Sequence, residues 1–131
     1  MKRTGLGVEG ENFAAEYLTG KGYIICARNF TSRFGEIDIV AIKDGFLCFV
    51  EVKTRGKNPI SPARESVTLS KQKKIIKTAE YYIFKHQAQI LKQNLQPRFD
   101  CIEVYVGAQG SRDTQGIPYE INHFENAFNA F

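Results

Sequence analysis

The chain has 131 residues, which fits one domain and leaves little room for a second; 43% hydrophobic and 24% charged residues argue against wholesale disorder, collagen-like repeats and coiled coil. No apolar run approaches the roughly 18 to 20 residues that cross a bilayer, and Met1-Lys2-Arg3-Thr4-Gly5-Leu6-Gly7 contains no stretch of signal-peptide length, so the expected location is the cytoplasm, with no membrane partner. Eighteen Lys and Arg against 14 Asp and Glu give +4, mild support for a polyanionic partner such as nucleic acid.

The first periodic segment, about Val8 to Leu18, stops at the Gly20-Lys21-Gly22 breaker and predicts a helix. Its inward stripe is Ala14, Ala15 and Leu18, and Glu11 falls inside that stripe. Tyr23 to Phe30 reads as a strand, and Thr31 to Gly35 as a turn. Two β-rich runs follow, Glu36 to Ile42 and Phe46 to Lys53, separated by Lys43-Asp44-Gly45; Asp-Gly between such runs is a strong hairpin signal.

A two-residue turn at Asp44-Gly45 pairs Lys43 with Phe46 and sets Asp38 opposite Glu51 and Glu36 opposite Lys53; a three- or four-residue turn would shift this by one or two places. In the two-residue register Asp38, Val40 and Ile42 share a face with Leu47, Phe49, Glu51 and Lys53, while Ile37, Ile39, Ala41, Cys48, Val50 and Val52 form a wholly apolar face. Both faces are largely hydrophobic, as in a sheet covered by helices on both sides.

Thr54 to Val67 reads as a long basic loop carrying Arg55, Lys57 and Arg64. A long helix is expected from about Ser70 to Asn94, with Gln72, Ile76, Ala79, Ile83 and Ile90 on one stripe and Lys74, Lys77, Lys85 and Lys92 opposite. Arg98 to Val106 predicts another strand, and the tail from Gly107 a loop, a short strand near Tyr119 and a last helical turn. Cys26, Cys48 and Cys101 form no C-x-x-C pair and are expected to be reduced core residues. His86 and His123 read as structural or surface residues, and Tyr81, Tyr82 and Phe84 as core or helix surface rather than a base-stacking platform.

What demands explanation is a pair of facing carboxylates. At about 5 Å and an effective dielectric near 20, Asp38 and Glu51 would repel by roughly 3 kcal/mol. A divalent cation offsets this, and hard oxygen ligands suit Mg²⁺ or Mn²⁺. Lys53, on the same face, sets its amine beside that cation, able to orient or, in its neutral form, deprotonate a water and, as the ammonium, to stabilise a pentavalent phosphate. Glu11 can supply a third carboxylate, completing the equipment for metal-assisted hydrolysis of a phosphodiester. The plainer alternative is a solvated Asp38 and Glu51 beside a surface ion pair of Glu36 with Lys53.

Gly10-Glu11, Gly22-Tyr23, Arg28-Asn29, Gly35-Glu36-Ile37-Asp38-Ile39-Val40-Ala41, Phe49-Val50-Glu51-Val52-Lys53-Thr54-Arg55, Lys71-Gln72-x-Lys74-Ile75 and Arg98-Phe99-Asp100 resemble the small bacterial YraN-type family. That family is similar to the PD-(D/E)xK nuclease superfamily, especially archaeal-type Holliday junction resolvases. The resemblance covers roughly residues 5 to 106 plus Asn126-Ala127-Phe128. It implies an α/β fold with a restriction-endonuclease-like αβββαβ core, a central mixed β-sheet flanked by helices, in a single domain with a C-terminal extension over 107–131. By position it implies metal ligation by Asp38, Glu51 and Glu11 with catalytic assistance from Lys53, and phosphate or water positioning by Arg55 and Gln72; Ile37 stands where the motif has proline.

The expectation is therefore a Mg²⁺- or Mn²⁺-dependent nuclease acting on DNA, branched or junction DNA included, as a homodimer by analogy with resolvases. Its DNA contacts would be Arg55, Lys57, Arg64, Gln72 and Lys74. The alternatives are a non-catalytic nucleic-acid-binding module on the same fold, marked by salt-sensitive binding without metal, and a protein-interaction adaptor.

Overall fold

The computed structural model describes residues 6–55, 67–112, 116 and 118–129. Element order is α1 (Leu6–Gly20), β1 (Ile24–Ser32), β2 (Gly35–Lys43), β3 (Phe46–Arg55), α2 (Leu69–Lys85), α3 (Gln87–Gln93), β4 (Gln96–Arg112) and β5 (Pro118–Phe128). The five strands form one mixed sheet in chain order, with β3 and β4 parallel and the other neighbours antiparallel. This is the expected α/β architecture and is consistent with a restriction-endonuclease-like fold.

Asp44 and Gly45 both take positive φ, 50° and 81°, as a tight two-residue hairpin turn requires. Lys43 accordingly pairs with Phe46, and the expected register runs from there to Ile39 opposite Val50. Each side of the sheet buries its own core. α1 contributes Phe13, Ala14 and Leu18 against Ile39, Ala41, Cys48, Val50, Ile102 and Val104. On the other side Ile75, Ala79 and Tyr82 of α2 cover Val40, Leu47, Phe49 and Phe99. At about 25 cal/mol per Å² of buried apolar surface, these two layers are the main favourable term holding helices to sheet. No helix among the described residues is long and apolar enough to cross a membrane.

Four expectations need correction. Ile37 lies with the α2-side core rather than beside Ile39. Asn29 takes left-handed backbone, φ 52°, between the pairs Arg28–Ile39 and Phe30–Ile37. The alternation breaks there, and both Phe30 and Ile37 turn toward α2. Cys26 is exposed, unlike Cys48 and Cys101, because it occupies the bulge between Ile25 and Ala27.

The single long helix is two. At His86 (φ −118°, ψ 21°) the backbone N–H is shared between Tyr82 O and Ile83 O, while the imidazole stacks on Tyr82 at 4.1 Å and its Nδ1 lies 2.9 Å from Tyr82 O. These contacts hold His86 outside helical geometry. The tail, finally, contributes no helical turn among its described residues. β4 runs on to Arg112, and β5 pairs with it over most of its length, stacking Phe128 on Phe99 at 4.9 Å. The extension is thus an integral fifth strand.

Candidate active site at the strand fork

β2 and β3 stay paired only as far as Ile39 and Val50, whereas β3 continues beside β4 to Arg55. The sheet therefore forks. In a continued ladder Val52 would stand opposite Ile37; instead the Val52 N–H donates to Asp38 Oδ2 at 2.7 Å. The break in alternation at Asn29 explains why. With Ile37 facing α2 and Ile39 facing α1, Asp38 directs its carboxylate across the gap toward β3. Asp38 is 5% and Glu51 6% exposed, so the solvated surface alternative does not hold. Glu36 pairs with Thr31 of β1, whose hydroxyl lies 3.5 Å from Glu36 Oε2.

Burial first, and then the Asp38 charge, push the Glu51 carboxyl above the ordinary carboxylate range, and Lys71 and Lys53 pull it back only in part. The sheet brings further charges to this side. Lys53 stands in register with Glu103 of β4, which is 2% exposed and accepts from Tyr105 Oη at 3.2 Å. Glu51, Lys53, Glu103 and Lys71 all act on the Cys101 thiol, which burial above all pushes up to about 11. That thiol stays protonated at neutral pH and lies among the charged groups of the site.

Lys71 was not among the expected site residues. Its Nζ lies 2.6 Å from Glu51 Oε1. Burial alone would lower its pKa, but the hydrogen bond to Glu51 and the charges of Glu51 and Asp38 together raise it. A signal for it exists in the chain: Thr68 caps α2 by accepting from the Lys71 N–H, and the first turn carries no acid. Lysine there opposes the helix dipole, an arrangement favourable only beside an anion.

The other expected residues are placed as follows. Glu11 is buried, 3% exposed, on α1, which covers the sheet side opposite α2. Beside it Gly10 meets β3 so closely that an added Cβ would fall 1.8 Å from Thr54 Oγ1, which seats the start of α1 over the end of β3. Arg55 is half-buried and ends the Glu51-Lys53-Arg55 series. Gln72 Nε2 donates to Val67 O at 2.7 Å, bracing the entry to α2. Lys74 is exposed and packs its Cβ near Gly35. Lys57 and Arg64 lie outside the described residues.

Among the described residues, no group of three or more His, Cys, Asp or Glu side chains is gathered to hold a metal. The fork thus brings together Asp38 and Glu51. That pair fits a hard divalent cation: Mg²⁺ and Mn²⁺ are held through one or two carboxylates, with water and phosphate completing the shell, and such a cation relieves the repulsion from Asp38 that adds to burial in raising Glu51.

Comparison with known sequences agrees with the motif reading. The model of the Uncharacterised protein family UPF0102 matches residues 10–104, bearing out the YraN-type resemblance. A UPF0102 protein of Chlorobium limicola is 44% identical over 125 residues, covering 94% of this chain and 91% of that protein. One from Clostridium perfringens is 42% identical over 123 residues, covering 94% and 93%, and one from Persephonella marina 40% over 122, covering 93% and 91%.

Proposed function

The chain belongs to the UPF0102 family, and we propose that it is a divalent-metal-dependent nuclease hydrolysing DNA phosphodiester bonds, with branched or junction DNA as the substrate to test first. One observation carries this reading: at a fork in the sheet, Asp38 caps the Val52 N–H while two buried carboxylates repel each other, with Lys53 and Lys71 acting on Glu51. A module that only bound DNA would gain nothing from carboxylates placed against phosphates.

Asp38 and Glu51 would hold Mg²⁺ or Mn²⁺; Glu11, on α1, is not gathered with them among the described residues. Bound there, the ion supplies an acidified water and charge neutralisation on the phosphate. The Lys53 ammonium orients that water or takes up charge developing on the phosphoryl oxygens. Lys71, already at the Glu51 carboxylate, exchanges this partner for a phosphate oxygen when DNA enters. Arg55 would contact the DNA backbone at the end of β3, with Lys57 and Arg64, outside the described residues, as further candidate phosphate contacts, and a homodimer would present two such forks to a two-fold junction.

Cleavage of labelled duplex, single-stranded, flap and four-way DNA with Mn²⁺ or Mg²⁺ tests this. Wild type should give chelator-sensitive products that Glu51→Ala abolishes; cleavage unchanged in Glu51→Ala would sink the assignment. The ion pair of Lys71 with Glu51 favours a second reading, in which lysine has replaced metal and the chain only binds DNA. Its mark is salt-sensitive binding, without cleavage, that is indifferent to metal.

A further inference from the structure

Away from the fork, the outer surface of α2 and the tip of the β1–β2 hairpin form two adjoining clefts of about 360 and 410 Å³ that share Phe34 and Tyr81. Tyr81 is 40% and Phe84 69% exposed. Cations crowd these rings: Arg33 lies 4.9 Å and Lys77 5.3 Å from the centre of Phe34, and Lys85 5.4 Å from that of Tyr81. Against these three stands Glu80 in the lining. Exposed Tyr81 and Phe84 beside half-buried Phe34, interleaved with positive charge, match the chemistry of unpaired bases strung on phosphates, each base offering a π-face and each linkage an anion.

Position ties the clefts to the fork. Lys71, Lys74, Lys77 and Tyr81 follow one another at helical spacing along α2, about 15 Å from first to last at 1.5 Å per residue. Phe34 lies about 13 Å along the chain from Asp38 by strand rise, the span of about four stacked nucleotides at 3.4 Å each. We infer that this surface is a stacking platform for single-stranded DNA, which enters over Phe34, Tyr81 and Phe84 and passes along the lysine row. Its binding stands without the nuclease reading; only its role as a lead-in to cleavage rests on that reading.

Fluorescence anisotropy of a labelled fifteen-residue oligothymidylate with the full chain in EDTA tests it. Tyr81→Leu and Phe84→Leu keep apolar bulk and charge but remove the ring, and each should weaken binding at least about fivefold. Lys77→Gln should lower the salt slope by about 0.7, and Glu80→Lys should tighten binding, a gain that misfolding cannot produce. Ring variants that bind like wild type, duplex bound as tightly as the single strand, or no binding by wild type would overturn the platform. Ring-dependent binding with no cleavage of any DNA would instead retire the nuclease reading and leave the platform standing.

Discussion

Lys71 Nζ stands 2.6 Å from Glu51 Oε1, joining the first turn of α2 to the middle strand of the sheet just where β2 and β3 part. The Lys71 side chain is 48% exposed, but that of Glu51 is 7% exposed, so losing Lys71 leaves a buried carboxylate without its close cation. Lys71→Met is expected to lower unfolding free energy by about 1–3 kcal/mol, the cost of leaving a buried group without its partner, while lowering cleavage by about 10²- to 10³-fold, the usual loss on removing one stabilising group at the transition state. A denaturant melt beside single-turnover cleavage checks both.

Burial and the Asp38 charge raise the Glu51 carboxyl, which sets a definite sign. A carboxyl whose folded pKa lies above its unfolded value favours the fold while protonated, and that contribution is lost as pH rises through the folded pKa. Glu51→Gln should therefore melt higher than wild type at neutral and alkaline pH, the gap closing in acid. Metal binding by wild type should run the opposite way, rising with pH as Glu51 ionises. Thermal melts and Mn²⁺ titrations across the same pH series read the two trends.

Asp100, fully buried, carries the opposite sign. Burial would raise its pKa, but His123 Nε2 at 2.8 Å, the paired contacts of Arg98 at 2.9 Å and the Asn126 N–H at 3.1 Å outweigh that and lower it. Its contribution is present above the ordinary Asp range and disappears as pH falls through the depressed folded value. Asp100→Asn leaves Arg98 and His123 without their anion and should cost about 3–5 kcal/mol at pH 7, with a flatter loss of stability below about pH 4. Urea unfolding at a series of pH values measures both.

Gly10 is where α1 touches β3, and a Cβ there meets the side chain of Thr54. Gly10→Ala should cost about 1–3 kcal/mol by overpacking, less any gain from alanine's better helix propensity. Gly10→Ala with Thr54→Ala, which removes the hydroxyl that the new Cβ would meet at 1.8 Å and the methyl beside it, should recover part of the loss; equal stability of Gly10→Ala and wild type would show that α1 does not sit this close.

Much of this was legible in the chain. Asp44-Gly45 sets the hairpin register, because few residues take positive φ twice in succession, and the register put Asp38 and Glu51 at the same level of the sheet. What pattern reading missed has local causes. Asn29 entered left-handed backbone and carried Phe30 and Ile37 to the α2 side, so strict alternation misplaced Ile37. Lys71 was hidden because helical periodicity ranks a residue by its face, whereas its partner is set by where α2 starts relative to β3. The long β5 was concealed by a sequence, Pro118 to Phe128, in which polar residues interrupt the apolar ones. The His123–Asp100 contact depends on that strand pairing back onto β4.

The central claim, a divalent cation held at the fork, is tested most directly by Mn²⁺ titration calorimetry on wild type, Asp38→Asn and Asp38→Ala, since no substrate need be known. Asparagine keeps an oxygen for the Val52 N–H and should leave stability near wild type, whereas alanine should cost about 1–3 kcal/mol for the lost acceptor. The expected result is saturable Mn²⁺ binding by wild type, lost in both variants, including the asparagine form that still folds normally. Binding retained unchanged in Asp38→Asn, or absent from wild type both alone and with a phosphodiester oligonucleotide present, would contradict it.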